Sequence, residues 1–168
     1  MATMIESLKA DMEREAATTR RCLERVPDGQ EDWKPHEKSM PLGYMASLLA
    51  VMPSWLVSII TQDELDIAKP REFEHRELHT REDRLKTFDK AVAAAREAFD
   101  GTTEEQLLNT SWKLLVQGKV VAEQTRCMAI LENSNHVSHH RGQLTVYLRL
   151  LGIPIPSIFG PSADEKVF

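Results

Sequence analysis

Residues 123–151 read EQTRCMAILENSNHVSHHRGQLTVYLRLL, and the fold of the chain follows from this stretch. Its apolar side chains recur every three or four positions, which is the spacing of one face of an α-helix. The stretch contains no proline, and Gly152 and Pro154 directly after it are helix-stop signals. We therefore predict one long final helix over these residues.

Three more segments have the same periodicity, namely residues 3–26, 40–60 and 81–99. The second is apolar on nearly all sides and contains Pro53, which we expect to kink it. Ser39 is its expected N-cap, and Thr80 is the expected N-cap of the third. The predicted fold class is all-α, an antiparallel four-helix bundle with long inter-helix connections, in one domain over residues 1–168.

The connections have few core-forming residues. Residues 62–79 are charged and are predicted to form a loop, and the basic stretch 71–84 is interleaved with acids, as a solvated surface is. Residues 102–123 are less regular. A short hairpin is compatible with the alternation before Gly118, which is carried by Trp112, Leu114 and Val116.

Composition narrows the possible functions. A net charge of −5 over 168 residues disfavours a nucleic-acid groove. No uninterrupted apolar run of about 18 residues predicts a membrane span, and the N-terminus lacks the order of a signal peptide. We therefore expect a cytoplasmic protein. Its two cysteines, Cys22 and Cys127, are too few for a disulfide framework and are expected to be reduced.

The candidate site is the stretch His136-Val-Ser-His-His140-Arg-Gly-Gln-Leu on the final helix. His136 and His140 are four residues apart, so their imidazoles lie on one face and can share one ion. Glu132 precedes His136 by one turn, but it is about 12 Å along the axis from His140 and cannot complete a site with both histidines. Any third protein ligand must come from another helix, and a pair held only by hydrogen bonds remains the alternative.

Several ordered motifs resemble the DinB family of helical-bundle proteins. They are Trp33-Lys-Pro-His-x-Lys-Ser39, Leu42-Gly-x-Met-Ala46, Met52-Pro-x-Trp55, His136-x-x-x-His140-Arg-Gly-Gln-Leu-Thr-x-Tyr147-Leu-Arg149 and Gly160-Pro-Ser-Ala-Asp-Glu165. The resemblance runs from about residue 5 to residue 165.

The resemblance implies a homodimer with a three-histidine metal site. Two of those histidines match His136 and His140, and the third belongs at a position of the second helix that is Leu48 here. Leucine cannot bind a metal. Characterised relatives include thiol-S-transferases and isomerases that use low-molecular-weight thiols, so the resemblance also implies a thiol or another small-molecule substrate.

Three interpretations of the histidine pair remain open. In the first, the pair binds zinc or nickel and waters or a small molecule fill the other positions. In the second, His36, His75 or His79 supplies a third ligand. In the third, the metal is absent, Leu48 fills its place, and hydrogen bonds hold the pair.

The expected pocket residues are Leu48, Glu132, Gln143 and Tyr147, with Glu132 and Gln143 as partners that orient the imidazoles. Arg141 and Arg149 are expected to pair with acids on neighbouring helices, with binding of an anionic substrate group as the alternative. The sequence thus supports two functions: a metal-dependent enzyme of the thiol-S-transferase or hydrolase type with a degraded site, or a non-catalytic homodimer that binds a small molecule or a protein.

Overall fold

The computed structural model describes residues 2–69 and 78–166, and its elements follow the predicted helical segments closely. In chain order they are α1 (Met4–Leu23), α2 (Leu42–Val51), α3 (Pro53–Thr61), β1 (Glu64–Asp66), α4 (Arg81–Asp100), α5 (Glu104–Asn109), β2 (Ser111–Val116), β3 (Lys119–Thr125) and α6 (Arg126–Leu150). The long helices α1, α4 and α6 and the α2–α3 segment pack on one another around the hydrophobic core.

The predicted second helix is split at Met52, where α2 ends and α3 begins with Pro53. Proline has no backbone N–H to continue the hydrogen-bond ladder, so the break falls where the sequence indicates. Ser39 is not the N-cap. The chain enters α2 through Pro41, and the N–H groups of Leu42 and Gly43 donate to backbone carbonyls of the preceding loop.

The α2–α3 segment, Leu42–Thr61, is long and apolar enough to cross a membrane, but most of it is buried inside this fold. Every residue of α2 except Tyr44 is buried within the single chain. The apolar surplus of this helix is therefore used in the core of one molecule and does not by itself require a partner.

The prediction of an all-α fold is wrong for one region, because the mostly helical chain also has a small three-stranded sheet in the order β1-β2-β3. β2 and β3 form the antiparallel hairpin, closed by Gln117 and Gly118 with φ of 51° and 75°. Two positive φ values suit a tight turn whose twist matches the strands. β3 takes the residues that were expected to begin the final helix, and Thr125 caps α6 instead.

β1 lies inside the segment that was predicted to be a loop and pairs in parallel with β2. The Asp66 carboxylate fixes this arrangement. It accepts hydrogen bonds from the backbone N–H groups of Ala68 at 3.0 Å, Gln117 at 3.1 Å and Gly118 at 2.8 Å. Three donors stabilise the anion and lower the pKa of Asp66 below its usual value.

The tail after α6 is clamped to the helices by charged side chains. Glu165 pairs with Arg21 and Arg25 near the end of α1, and Asp164 accepts a 2.6 Å hydrogen bond from Arg149 on α6. The motif Gly160-Pro-Ser-Ala-Asp-Glu165 thus forms a clasp between the tail and the helices. Arg149 pairs with an acid as predicted, but Asp164 lies in the tail and not on a neighbouring helix.

Candidate metal and ligand site

The histidine pair lies in the middle of α6, where the helix passes α3. His140 is buried, with 5% of its surface exposed, whereas His136 is exposed. The indole of Trp55 on α3 packs against His136, with ring centroids 5.6 Å apart. One imidazole is thus enclosed by the fold, and the other reaches solvent.

The two imidazoles contact each other through their Nε2 atoms, which are 2.9 Å apart. On its other side, His140 Nδ1 lies 2.9 Å from Oε1 of Gln143. An amide oxygen only accepts, so His140 carries its proton on Nδ1 and has a lone pair on Nε2. His136 therefore donates its Nε2–H to His140, and Gln143 fixes the tautomer of the buried ring.

The surroundings lower the pKa of both imidazoles. His136 is exposed as a residue, but partial desolvation of its ring lowers its pKa, and the nearby His140 and His139 lower it further. Burial also lowers the pKa of His140, although the hydrogen bond to Gln143 acts in the opposite direction. Neutral imidazole is the form that binds metal ions.

The spacing of the pair fits two ligands of one ion. Two imidazole nitrogens at ordinary metal–nitrogen distances are about 3.0 Å apart when the angle between them is a right angle, and about 3.4 Å apart in a tetrahedron. The observed 2.9 Å is compatible with a right angle at a shared ion, and it is also the length of the hydrogen bond that joins the two rings. Within residues 2–69 and 78–166, however, no group of three His, Cys, Asp or Glu side chains could hold a metal. The residues fit a two-ligand site and do not form the three-histidine site that the resemblance implies.

The histidines considered as a third ligand do not join the pair where the structure describes them. His36 is exposed, and its Nδ1 accepts from the backbone N–H of Lys38 at 3.1 Å. His79 lies at the start of α4 beside another cavity. His75 lies outside the described residues.

The other predicted pocket residues have separate partners. Leu48 is a core residue of α2 with 7% of its surface exposed. Glu132 is exposed and accepts a 2.6 Å hydrogen bond from Gln124 of β3. The Tyr147 hydroxyl donates to the carbonyl of Met40 at 3.2 Å, and its ring packs edge-on against Trp33. Of the four, only Gln143 contacts the histidine pair through a hydrogen bond.

Next to the pair, a buried ion pair links α6 to α1. Arg141 Nη2 lies 2.6 Å from Oε2 of Glu15, and both side chains are almost fully buried. Arg141 Nη1 also donates to Thr19 Oγ1 at 3.2 Å, and Ser138 donates to Glu15 at 3.2 Å. This confirms the predicted pairing of Arg141, but nothing in the pattern of α1 indicated that Glu15 faces inward.

Comparison with known proteins identifies the family. The family model described as "DinB family" matches residues 1–166. The chain belongs to the DinB family. A local match, 50% identical over 30 residues, links this DinB protein to the uncharacterized protein YrdA of Bacillus subtilis (strain 168), and it covers 18% of each chain.

Solved DinB structures share the fold over nearly the whole chain. A DinB-like protein of Bacillus cereus ATCC 10987 has a TM-score of 0.70 and 19% identity, covering 94% of this chain and 99% of its own. A DinB-like protein of Bacillus subtilis has a TM-score of 0.70 and 18% identity, covering 96% and 99%. A DinB-family protein of Exiguobacterium sibiricum 255-15 has a TM-score of 0.65 and 22% identity, covering 94% and 97%. At these identities the similarity establishes the fold alone.

Proposed function

We propose that this DinB protein binds a divalent metal ion, zinc or nickel, through Nε2 of His136 and Nε2 of His140, and that a small molecule completes the coordination. The observation that carries the proposal is the 2.9 Å separation of these two atoms, with His140 oriented by Gln143. The reaction class that suits such a site is thiol-S-transfer or hydrolysis. When bound, the ion supplies a Lewis acid that can hold a thiolate or polarise a substrate carbonyl.

The protein's own contribution is to keep the two donors available. Gln143 holds the His140 proton on Nδ1, which leaves the Nε2 lone pair available. His136 must move its proton from Nε2 to Nδ1 before it can act as a ligand. Because His136 is exposed, a small molecule can approach the pair from solvent on its side.

Metal content tests this proposal directly. We would measure zinc and nickel in untagged wild type, in His140→Ala and in Leu48→His, and titrate chelator-treated protein with each metal by calorimetry. We expect one ion per chain for wild type in the titration and none for His140→Ala. His36→Ala removes a remote exposed histidine and serves as the matched control, with unchanged binding.

The Leu48→His variant distinguishes a working site with two histidine ligands from a site that has lost metal binding. If Leu48 occupies the place of a third ligand, the new imidazole should tighten metal binding by at least about tenfold, the usual effect of a gained ligand or its support. Wild type that binds no added metal, with Leu48→His binding one ion, would refute a live two-histidine site. Circular dichroism must first show that the variant folds, because position 48 is in the core.

The alternative function is non-catalytic binding of a small molecule or a protein partner, and two observations favour it. Leu48 is packed in the core, and the described residues bring no third protein donor to the histidine pair. An absence of thiol-dependent activity in metal-loaded wild type, together with restored activity in Leu48→His, would support this alternative.

We also propose a cytoplasmic homodimer. The exposed side of α6 supports the dimer, because apolar residues recur along it: Met128, Leu131, Val146 and Leu150. The apolar surface of α2 does not, because one chain buries it. Sedimentation equilibrium of wild type and Val146→Lys tests this assignment, and a monomeric wild type would refute it.

A further inference from the structure

A second polar cavity, separate from the histidine pair, lies where the start of α2 meets the start of α4. Its volume is about 230 Å³. The residues that give it chemical character are Glu31, Asp32, Ser47, His79 and Arg84. None of them takes part in the proposed metal site.

The floor of this cavity is a buried guanidinium with an unsatisfied donor. Arg84 is 1% exposed; its Nε donates to Ser47 Oγ at 3.1 Å, and its Nη2 donates to the carbonyls of Leu78 at 3.2 Å and His79 at 3.4 Å. Its Nη1 is buried and meets no acceptor in the part of the chain that the structure describes. Buried polar groups almost always have partners, so this orphan donor requires an explanation.

The charge of Arg84 is also poorly compensated. Among the described residues, its nearest acidic atom is Oε1 of Glu31, 3.9 Å from Nη2, which is too long for a hydrogen bond. Burial lowers the pKa of Arg84, although Glu31, Asp28 and Asp83 oppose this effect. Arginine nevertheless stays protonated, so a positive charge with a free N–H remains under the cavity.

One wall of the cavity contains two acidic residues. Glu31 and Asp32 both line the cavity. Oε1 of Glu31 accepts a 3.1 Å hydrogen bond from the backbone N–H of Gly29, whereas no hydrogen bond or ion pair within residues 2–69 and 78–166 holds the Asp32 carboxylate. The wall is fixed against α2. Gly43 N–H donates to the carbonyl of Glu31 at 2.9 Å, and a Cβ at position 43 would lie 2.9 Å from the Cβ of Glu31.

We propose that this cavity binds a small zwitterion of the α-amino-acid class, with its carboxylate on the guanidinium of Arg84 and its ammonium on Glu31 and Asp32. A simple anion would satisfy Arg84 but would meet two carboxylates. A simple cation would pair with the carboxylates but would leave Nη1 of Arg84 without an acceptor. A zwitterion satisfies both, and charge-assisted hydrogen bonds of this kind are the strong ones. The volume accommodates a molecule of this size.

Calorimetric titration of full-length protein with glycine, L-alanine and L-serine tests the proposal. Two single-charge analogues are titrated in parallel: N-acetylglycine, which keeps only the carboxylate, and glycinamide, which keeps only the ammonium. We expect at least one free amino acid to bind, and both analogues to bind at least about tenfold more weakly because each loses one set of charge-assisted bonds. His140→Ala should bind the amino acid as wild type does, which separates this site from the metal site.

Variants of Glu31 and Asp32 provide a second test of the proposal. Asp32→Asn, alone and with Glu31→Gln, should weaken amino-acid binding by about tenfold or more. Glu37→Gln changes an exposed acid of the same connection that does not line the cavity, and it should bind as wild type does. The proposal is overturned if no amino acid binds up to about 10 mM. It is also overturned if N-acetylglycine binds as tightly as glycine, or if folded Asp32→Asn/Glu31→Gln retains wild-type affinity.

Discussion

Replacing Arg141 with alanine should destabilise the protein more than the loss of any surface ion pair. The guanidinium is 2% exposed and its partner Glu15 is 10% exposed, so the substitution leaves a buried carboxylate whose remaining cationic neighbour is the exposed Arg14, 3.8 Å away. Removing one partner of a buried ion pair costs about 3–5 kcal/mol. Arg141 also donates to Thr19 and lies over the ring of Phe159 at 5.3 Å, so we expect the upper part of this range.

Urea unfolding measures the decrease in the free energy of unfolding, and thermal unfolding should show a Tm lowered by about 10 °C or more. Arg96→Ala is the matched control, because Arg96 is 45% exposed and its partner Glu13 is 38% exposed. Its effect should stay within about 0.5 kcal/mol. The double variant Glu15→Leu/Arg141→Met removes both charges and should recover part of the stability, since well-packed apolar residues often replace a buried ion pair without loss.

Two results would refute this reasoning. One is a loss below about 1 kcal/mol for Arg141→Ala, which would mean that water reaches the carboxylate of Glu15. The other is a double variant whose loss equals the sum of the two single losses, which would show that the charges are not coupled.

Three further predictions concern other parts of the fold. Backbone donors lower the pKa of Asp66 in the folded protein below its value of about 4 in the unfolded chain. The ionised carboxylate therefore stabilises the fold fully above about pH 4, and this stabilisation is lost as the pH falls through the lower pKa of the folded state. Urea unfolding of wild type and Asp66→Asn should therefore differ at pH 7 and converge in acid, and a constant difference would contradict the assignment. Gly43→Ala should lower the Tm because its Cβ meets Glu31 at 2.9 Å, and it should weaken amino-acid binding, whereas Gly142→Ala, whose Cβ meets nothing within 4 Å, should leave binding unchanged. Thr80→Ala removes the side chain that accepts from the N–H of Asp83 and should cost about 1 kcal/mol by urea unfolding, and no change would show that the cap is dispensable.

The helices could be predicted because their signals are local. Apolar spacing located the long helices to within a few residues, Thr80 has the capping pattern that it was assigned, and Pro53 marks the break in the second helix. The β1 strand could not be predicted, because its three residues have no alternation of their own. They form a strand only because β2 offers an edge to pair with.

The histidine pair and the Arg84 cavity also differ in how far the sequence predicts them. The spacing of His136 and His140 on one helix was enough to predict that they meet. Arg84, by contrast, lies in a stretch of alternating charges that resembles a solvated surface. Its burial depends on Ser47 and on the chain around Leu78, which only the tertiary structure brings together. Such contacts between distant segments leave no periodic signal in the sequence.

The clasp between the tail and α1 also sets an order of events during synthesis. Arg21 and Glu165 are 144 residues apart in the chain. At ribosomal rates of about 5–20 residues per second, α1 emerges roughly 7 to 30 s before its acidic partner exists. During that interval the arginines at the end of α1 lack their partner in the tail. The ion pairs that join the tail to α1 therefore form late, after synthesis of residue 165.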